Sequence, residues 1–268
     1  MINSSISSIS SVSPNTSPPQ IELRQAGVLP LNSPALDEER LPFTVRLVQS
    51  HDDLSKAVSI RHSAYARHMP EVAATLLTAE KADTEDGTAV LLAESKLDGS
   101  PLGSLRIQSN RHKSLSLEKS IELPDSFEGL SLAQVSRLGI AQGVVGRLVK
   151  IVLIKASFQY CEANGIDWAL VAARSPLDRQ YQQLMFEDIF PGAGYIPLAH
   201  MDNVPHRMLG FEIDSGQARW SHAQHPLLKF FCHTHHPDIS VGEPLGDANR
   251  YPMTEKHPGV FEPAISNQ

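Results

Sequence analysis

The chemistry of this 268-residue chain starts with two glycines. Gly143 and Gly146 stand where a strand-like run, LSLAQVSRLGI (130–140), passes through AQGVVGR into a long apolar helix, LVKIVLIKASFQYCEANG (148–165). Backbone N–H groups at such a helix start are free to meet an anion, and Arg147 adds a cation beside them. Arg106 and Arg137 offer planar guanidiniums that can grip a carboxylate ligand bidentately, or can pair with Asp83 and Asp86 as structural ion pairs. Both readings are open, and they are compatible. The histidines invite a different chemistry, because eight of the 12 lie between His200 and His257. Cys232-His233-Thr234-His235-His236-Pro237-Asp238 looks like a ligand cluster, yet its spacing fits no four-ligand zinc pattern. One helix cannot aim all of those side chains at one point, and no metal is expected.

These residues need elements to position them. After the glycine turn and the helix come a second strand, WALVAA (168–173), and a polar helix, LDRQYQQLMF (177–186). Strand, turn, helix, strand and helix make a βαβ unit, which places ligands beyond the carboxyl ends of its strands. The segment 148–158 carries Lys150 and Lys155, but its apolar residues surround most of the circumference, as in a buried crossover helix. Upstream, FTVRLVQ (43–49) alternates as a first strand, and Asp52 or Asp53 caps a helix over DLSKAVSIRHSAYARHM (53–69). TAVLLAES (88–95) and KLDGSPLGSLRIQ (96–108) form a hairpin about an Asp98-Gly99 turn. Residues 109–129 are a loop over the site. GYIPLAHM (194–201) and HRMLGFEI (206–213) pair as late strands, the second ending at Asp214-Ser215-Gly216, and HPLLKFFCHTHH (225–236) is a last helix. The Ser- and Pro-rich residues 1–20 cannot offset the entropy of ordering. Residues 1–42 are therefore expected as a disordered segment and linker, 43–241 as the folded domain, and 242–268 as a loosely held tail.

Composition narrows the partners. A net charge of −7 and a pI near 5.9 argue against a general nucleic-acid binder. Two cysteines give no disulfide framework, and a reducing, cytoplasmic setting is the default. No run approaches the roughly 20 apolar residues of a bilayer span, and the N-terminus lacks the pattern of a signal peptide. No integral membrane segment is expected.

The element order resembles the GNAT acyltransferase arrangement. Tyr181-Gln182-Gln183-Leu184-Met185-Phe186 keeps a tyrosine-to-phenylalanine spacing found in many GNAT proteins, with Met185 in place of a glycine. The tyrosine of those enzymes protonates the departing thiolate, so the resemblance implies Tyr181 as the acid. Gln142-Gly143-Val144-Val145-Gly146 has one residue more than the family's diphosphate loop, which suits the single phosphate of a carrier-protein phosphopantetheine arm. More closely, the chain resembles the autoinducer-synthase branch and, within it, the bacterial N-acyl amino acid synthases. It does so in order at Arg61 and Tyr65, Asp83 and Asp86, Arg106, and Gln134-Val135-Ser136-Arg137, and again at HPLLKFFCHTHHPDI. At the catalytic position Gln134 the autoinducer synthases carry glutamate; glutamine cannot take a proton, so any base role there has moved or is absent.

The resemblance implies an α/β (α+β) fold of GNAT-like, three-layer form, with a mixed, mostly antiparallel central sheet flanked by helices. It implies an enzyme that moves a fatty acyl group from an acyl carrier protein or acyl-CoA thioester to an amino acid or similar amine, with no cofactor. An acyl-homoserine lactone synthase using S-adenosylmethionine and a GNAT-fold binding protein without catalysis are the alternatives. Such a reaction must orient the amine, stabilise an oxyanion, remove a proton and protonate sulfur. A pantetheine arm would add to an open edge of the central strand, with N–H groups from Leu138 to Ile140 as oxyanion donors. Gly143, Val144, Gly146 and Arg147 would hold the phosphate, Tyr181 would serve as acid, and Glu85 or Asp86 as base. Arg106 and Arg137 would hold the acceptor's carboxylate, with Arg61, Tyr65, Asp83, Asp86 and Ser136 completing the substrate site. Against these roles, Tyr181 can be a packing residue, the glycines ordinary helix-start residues, and Arg61 with Tyr65 a simple helical pair.

Overall fold

The computed structural model describes residues 36–242 apart from Asp202; the expected disorder of residues 1–20 and nearly all of the expected tail lie outside the described residues. In chain order these form β1 (Asp37–Glu38), β2 (Phe43–Leu47), the helices α1 (His51–Ala66) and α2 (Pro70–Thr75), the hairpin β3 (Thr88–Ser95) and β4 (Pro101–Ser109), and β5 (Leu132–Ile140). There follow α3 (Val144–Ala163), β6 (Trp168–Ala173), α4 (Leu177–Gln183), β7 (Glu187–Asp188), β8 (Ile196–Leu198), β9 (Val204–Glu212), α5 (Gly216–His222), β10 (Thr234–His235) and β11 (Ile239–Ser240). The main sheet runs β11-β2-β3-β4-β5-β6-β9-β7, with β8 against β9. Only β11–β2 and β5–β6 are parallel; the other ladders of this sheet are antiparallel. This is the mixed, mostly antiparallel sheet expected.

Two glycines let helices close on both faces of the sheet. A Cβ on Gly139 of β5 would lie 2.8 Å from the Arg61 Cα of α1, and one on Gly103 of β4 would lie 2.6 Å from Val149 and 2.9 Å from Leu153 of α3. Ser104 is the partner of Gly139, so Gly103 faces the opposite side, and the layers are helix, sheet, helix. Side-chain alternation in β3 follows suit: Leu91 and Ala93 enter the core under α3, while Val90 and Leu92 pack with Leu54, Ala57 and Val58 of α1. A separate apolar cluster joins Leu115, Leu117 and Phe127 to Leu170, Leu198 and Met208.

Three expectations are corrected in detail. The cap of α1 is Ser50, whose Oγ accepts from the Asp53 N–H at 3.1 Å, because Asp53 is occupied in a bidentate pair with Arg46 at 2.7 Å. The fold begins before Phe43: β1 pairs with β10, and buried Leu41 donates its N–H to Asp238 at 2.7 Å. Residues 109–129 form a loop as expected, with short 3-10 turns at Ser116–Lys119 and Asp125–Phe127 and with Leu115 and Leu117 buried. The last helix is a single π turn, Lys229–His233, followed by β10.

Candidate active site

Beyond Gln134 the central strand loses a neighbour. The parallel ladder between β5 and β6 joins Leu132, Ala133 and Gln134 to Trp168, Ala169 and Leu170 and stops there. β5 continues to Ile140 along β4 alone, and β6 continues along β9. A bulge accompanies the parting: Ser104 opposes Gly139 and Arg106 opposes Ser136, so Arg137 and Leu138 together face Leu105. Arg137 has φ +55°, a left-handed conformation that costs free energy in a non-glycine residue and is characteristic of functional sites. Bulges bend a strand and re-aim its side chains and amides. Val135–Ile140 thus present an edge with no strand on the β6 side among the described residues.

The glycine turn follows this edge. Gly143 has φ +91° and forms the start of α3 without a side-chain cap, which leaves first-turn N–H groups untaken. A Cβ on Gly146 would meet the Ala141 carbonyl oxygen at 1.9 Å, so glycine is also needed for the turn to fold back on itself. Val144 and Arg147 are exposed. A cavity of about 670 Å³ lies between α3, α4 and residues 225–227, lined by Ile151, Ile154, Leu177, Tyr181, Leu184 and Leu227. Lys150 lines it too and donates to Gln180 Oε1. Tyr181 is 4% exposed, with Phe186 edge-on at 5.0 Å. Burial, and then the neighbouring phenol of Tyr65, push the Tyr181 hydroxyl above the usual tyrosine range, so it stays protonated at neutral pH. A larger cleft of about 1130 Å³, lined by residues between Asn110 and Leu132, touches none of these residues.

Behind the bulge sits a charge cluster that the sequence only half revealed. Arg137 donates to Glu80 through Nε at 2.6 Å and Nη2 at 2.7 Å. Arg106 Nη1 reaches Glu80 at 3.0 Å and Asp83 at 3.3 Å, and Arg61 Nη1 reaches both Asp83 oxygens at 2.9 Å. Three guanidiniums face two carboxylates, leaving one surplus positive charge, and Arg61 Nε, Arg61 Nη2 and Arg106 Nε are buried without partners among the described residues. Burial opposes ionisation of Glu80, but Arg137's hydrogen bonds and the charges of Arg137, Arg106 and Arg61 outweigh it and hold its pKa at about 2. Burial likewise opposes the charge on Arg137, and Glu80 raises its pKa regardless. Burial pulls Arg106 below its usual range. Tyr65 on α1 lies near both Arg137 and Tyr181.

Several candidates stand elsewhere. Glu85 is held by Lys113 away from the cluster, and Lys113's hydrogen bond lowers its pKa. Asp86 is exposed. Gln134 is buried and its Oε1 accepts the Leu117 N–H at 3.0 Å, tying residues 116–119 to β5. Ser136, Leu138 and Ile140 are half-buried along the open edge, and the Ile140 carbonyl accepts from Arg67 Nη2 at 2.7 Å. Glu80 was not foreseen. Its one sequence signal is the E-x-x-D spacing to Asp83, which forms a capping box on a 3-10 turn, the Glu80 N–H donating to Asp83 Oδ2 at 2.9 Å.

No protein-family model matches the chain, and no curated protein matches it by sequence. Among solved structures it is similar to FeeM, an N-acyl amino acid synthase from uncultured soil microbes, with a TM-score of 0.52 and 15% identity over 70% of this chain and 96% of FeeM. It is also similar to BjaI, a CoA-dependent acyl-homoserine lactone synthase, with a TM-score of 0.49 and 13% identity over 72% of this chain and 93% of BjaI. The fold is the GNAT-type one that the sequence resemblance implied.

Proposed function

We propose that the protein is an N-acyltransferase that moves a fatty acyl group from a phosphopantetheine thioester to the amino group of an amino acid or similar amine. Two observations support this reading together: the edge of β5 beyond Gln134 has no strand on the β6 side among the described residues, and the buried Tyr181 stands in the wall of a mainly apolar cavity between α3 and α4. An extended pantetheine completes such an edge as an added strand would. Its phosphate would rest on the N–H groups of the Gly143–Gly146 turn with Arg147 alongside. The donor is an acyl carrier protein, for whose single phosphate the turn is suited, with acyl-CoA second, and the reaction belongs to the cytoplasm.

In the reaction the neutral amine attacks the thioester carbonyl carbon. A C–N bond forms, the C–S bond breaks, and the proton lost by nitrogen is balanced by one gained by sulfur. N–H groups at the Leu138 bulge and the surplus positive charge behind Arg137 favour the oxyanion. Tyr181, kept protonated, delivers the proton to the departing thiolate. Glu80, ionised down to about pH 2, serves as counter-charge to the arginines and not as the base.

The test incubates full-length protein with octanoyl, dodecanoyl and hexadecanoyl thioesters of carrier protein and of coenzyme A, plus mixed amino acids or S-adenosylmethionine. Products are read by mass spectrometry and thiol release by a thiol reagent. An N-acyl amino acid is expected; an acyl-homoserine lactone would replace the acceptor, and donor binding without turnover would make the chain a binding protein. Tyr181→Phe is expected to lower kcat about 100-fold with donor affinity near normal. An unchanged kcat removes Tyr181 from the mechanism.

A further inference from the structure

A second polar group of residues closes the carboxyl end of β6. Arg207 of β9 lies opposite Ala173, the last residue of β6, and Asp178 lies in the first turn of α4, three residues before Tyr181. Asp178 is 2% exposed. Its Oδ2 accepts from the Tyr195 hydroxyl at 2.6 Å, while its Oδ1 is buried with no hydrogen-bond partner among the described residues. Arg207 Nε is also buried with no hydrogen-bond partner among the described residues, 3.9 Å from Asp178 Oδ2, and Arg207 Nη1 is 3.9 Å from Asp188. Tyr195 stands over both, its ring 5.2 Å from the guanidinium, and is itself 42% exposed.

Leaving a buried carboxylate oxygen and a buried guanidinium N–H unsatisfied is costly. Here one orphan acceptor and one orphan donor, of opposite charge, occur in neighbouring residues. That is the complement of a zwitterion, whose ammonium donates and whose carboxylate accepts a few ångströms apart. The arginines behind the bulge are poorer seats for a carboxylate, because Glu80 already fills the fork of Arg137 and shares Arg106.

We propose that Asp178 and Arg207 form the acceptor site, taking an α-amino acid with its ammonium on Asp178 Oδ1, to which it gives up a proton before the neutral amine attacks, and its carboxylate on Arg207 Nε, under a Tyr195 cover that turns aside. This rests on the acyl-transfer reading. It places the incoming amine one helical turn from Tyr181, at the end of β6, the strand that parts from β5 beyond Gln134.

Two measurements on the full-length protein decide it. With an active thioester donor, Asp178→Asn and Arg207→Gln are expected to raise the acceptor KM about tenfold or more, while the donor KM stays at the wild-type value. Amines lacking the carboxylate should be correspondingly poor acceptors of the wild type. Wild-type acceptor KM in both variants, or carboxylate-free amines used as well as amino acids, overturns the proposal. Should Asp178→Asn not fold, Tyr195→Ala uncovers the pair, removing the hydroxyl that donates to Asp178 Oδ2 and the ring over Arg207, and is expected to lower the acceptor KM; an unchanged or raised value counts against the site. If the wild type releases no thiol from any donor, the transferase reading fails. The site is then judged by thermal shift with free amino acids and their methyl esters, where stabilisation by no free amino acid sinks it.

Discussion

Glu80 answers the charge of Arg137 with both of its oxygens and shares one of them with Arg106. Replacing it by Gln leaves the buried guanidiniums of Arg61 and Arg106 and the half-buried one of Arg137 facing Asp83 alone, a loss expected to cost about 3 kcal/mol. The pH dependence has a definite sign. The folded pKa of about 2 lies below the ordinary value of 4.5, so the stabilisation is complete above pH 4.5 and is lost as pH falls toward 2. Urea midpoints measured across that window should fall more steeply for the wild type than for Glu80→Gln. Parallel slopes would show that Glu80 is not the residue that titrates. At this scale the sequence was informative about type and order, and less so about partners. Arg61, Asp83, Arg106 and Arg137 do meet, but nothing in the run Glu80-Lys-Ala-Asp83-Thr-Glu85-Asp86 says which carboxylates turn inward. Asp83 is placed by a 3-10 turn that Glu80 helps to cap, and Glu85 is drawn off by Lys113, a residue distant in sequence.

Elements were read best where one face is buried and worst where pairing geometry decides. The α1 helix and the hairpin follow from periodicity, and the crossover helix follows from apolar residues around most of its circumference. The bulge in β5 does not, because it depends on how many residues of β4 lie opposite. The consequence for β5 and α1 is testable. Gly139 admits the α1 backbone to within 2.8 Å of where its own Cβ would stand, and the same turn of α1 carries Arg61 into the cluster. Gly139→Ala should force the helix and strand apart and destabilise by about 1–3 kcal/mol. Because Gly139 closes the bulge, the same variant should also lose transfer activity beyond what its fraction unfolded explains. A thermal melt alongside an activity assay below the transition separates the two effects, and wild-type values in both would show that the close approach relaxes without consequence.

Across the whole molecule, the far end of the described chain returns to its beginning. β11 adds to β2, β10 pairs with β1, and Asp238 holds both the Leu41 N–H and Lys96. The joint that fixes this return is Lys155, which is 1% exposed on α3. Its Nζ meets the carbonyls of Phe230 and Thr234 at 2.6 Å each and His236 Nδ1 at 2.9 Å. Those bonds explain why an apolar-looking run, HPLLKFFCHTHH, does not continue as a helix: the carbonyls after Lys229 are turned inward to a lysine no local pattern announces. Lys155→Met keeps the length of the side chain and removes all three bonds, leaving two carbonyls and an imidazole without their donor. Because buried groups left unpaired cost about 1–3 kcal/mol each, the segment 229–240 should open before the rest of the fold. Native-state hydrogen exchange should then rise there first, while amides of β3, β4 and β5 keep wild-type protection. Exchange rising equally through the central sheet would mean that Lys155 supports the global core and not the closing segment.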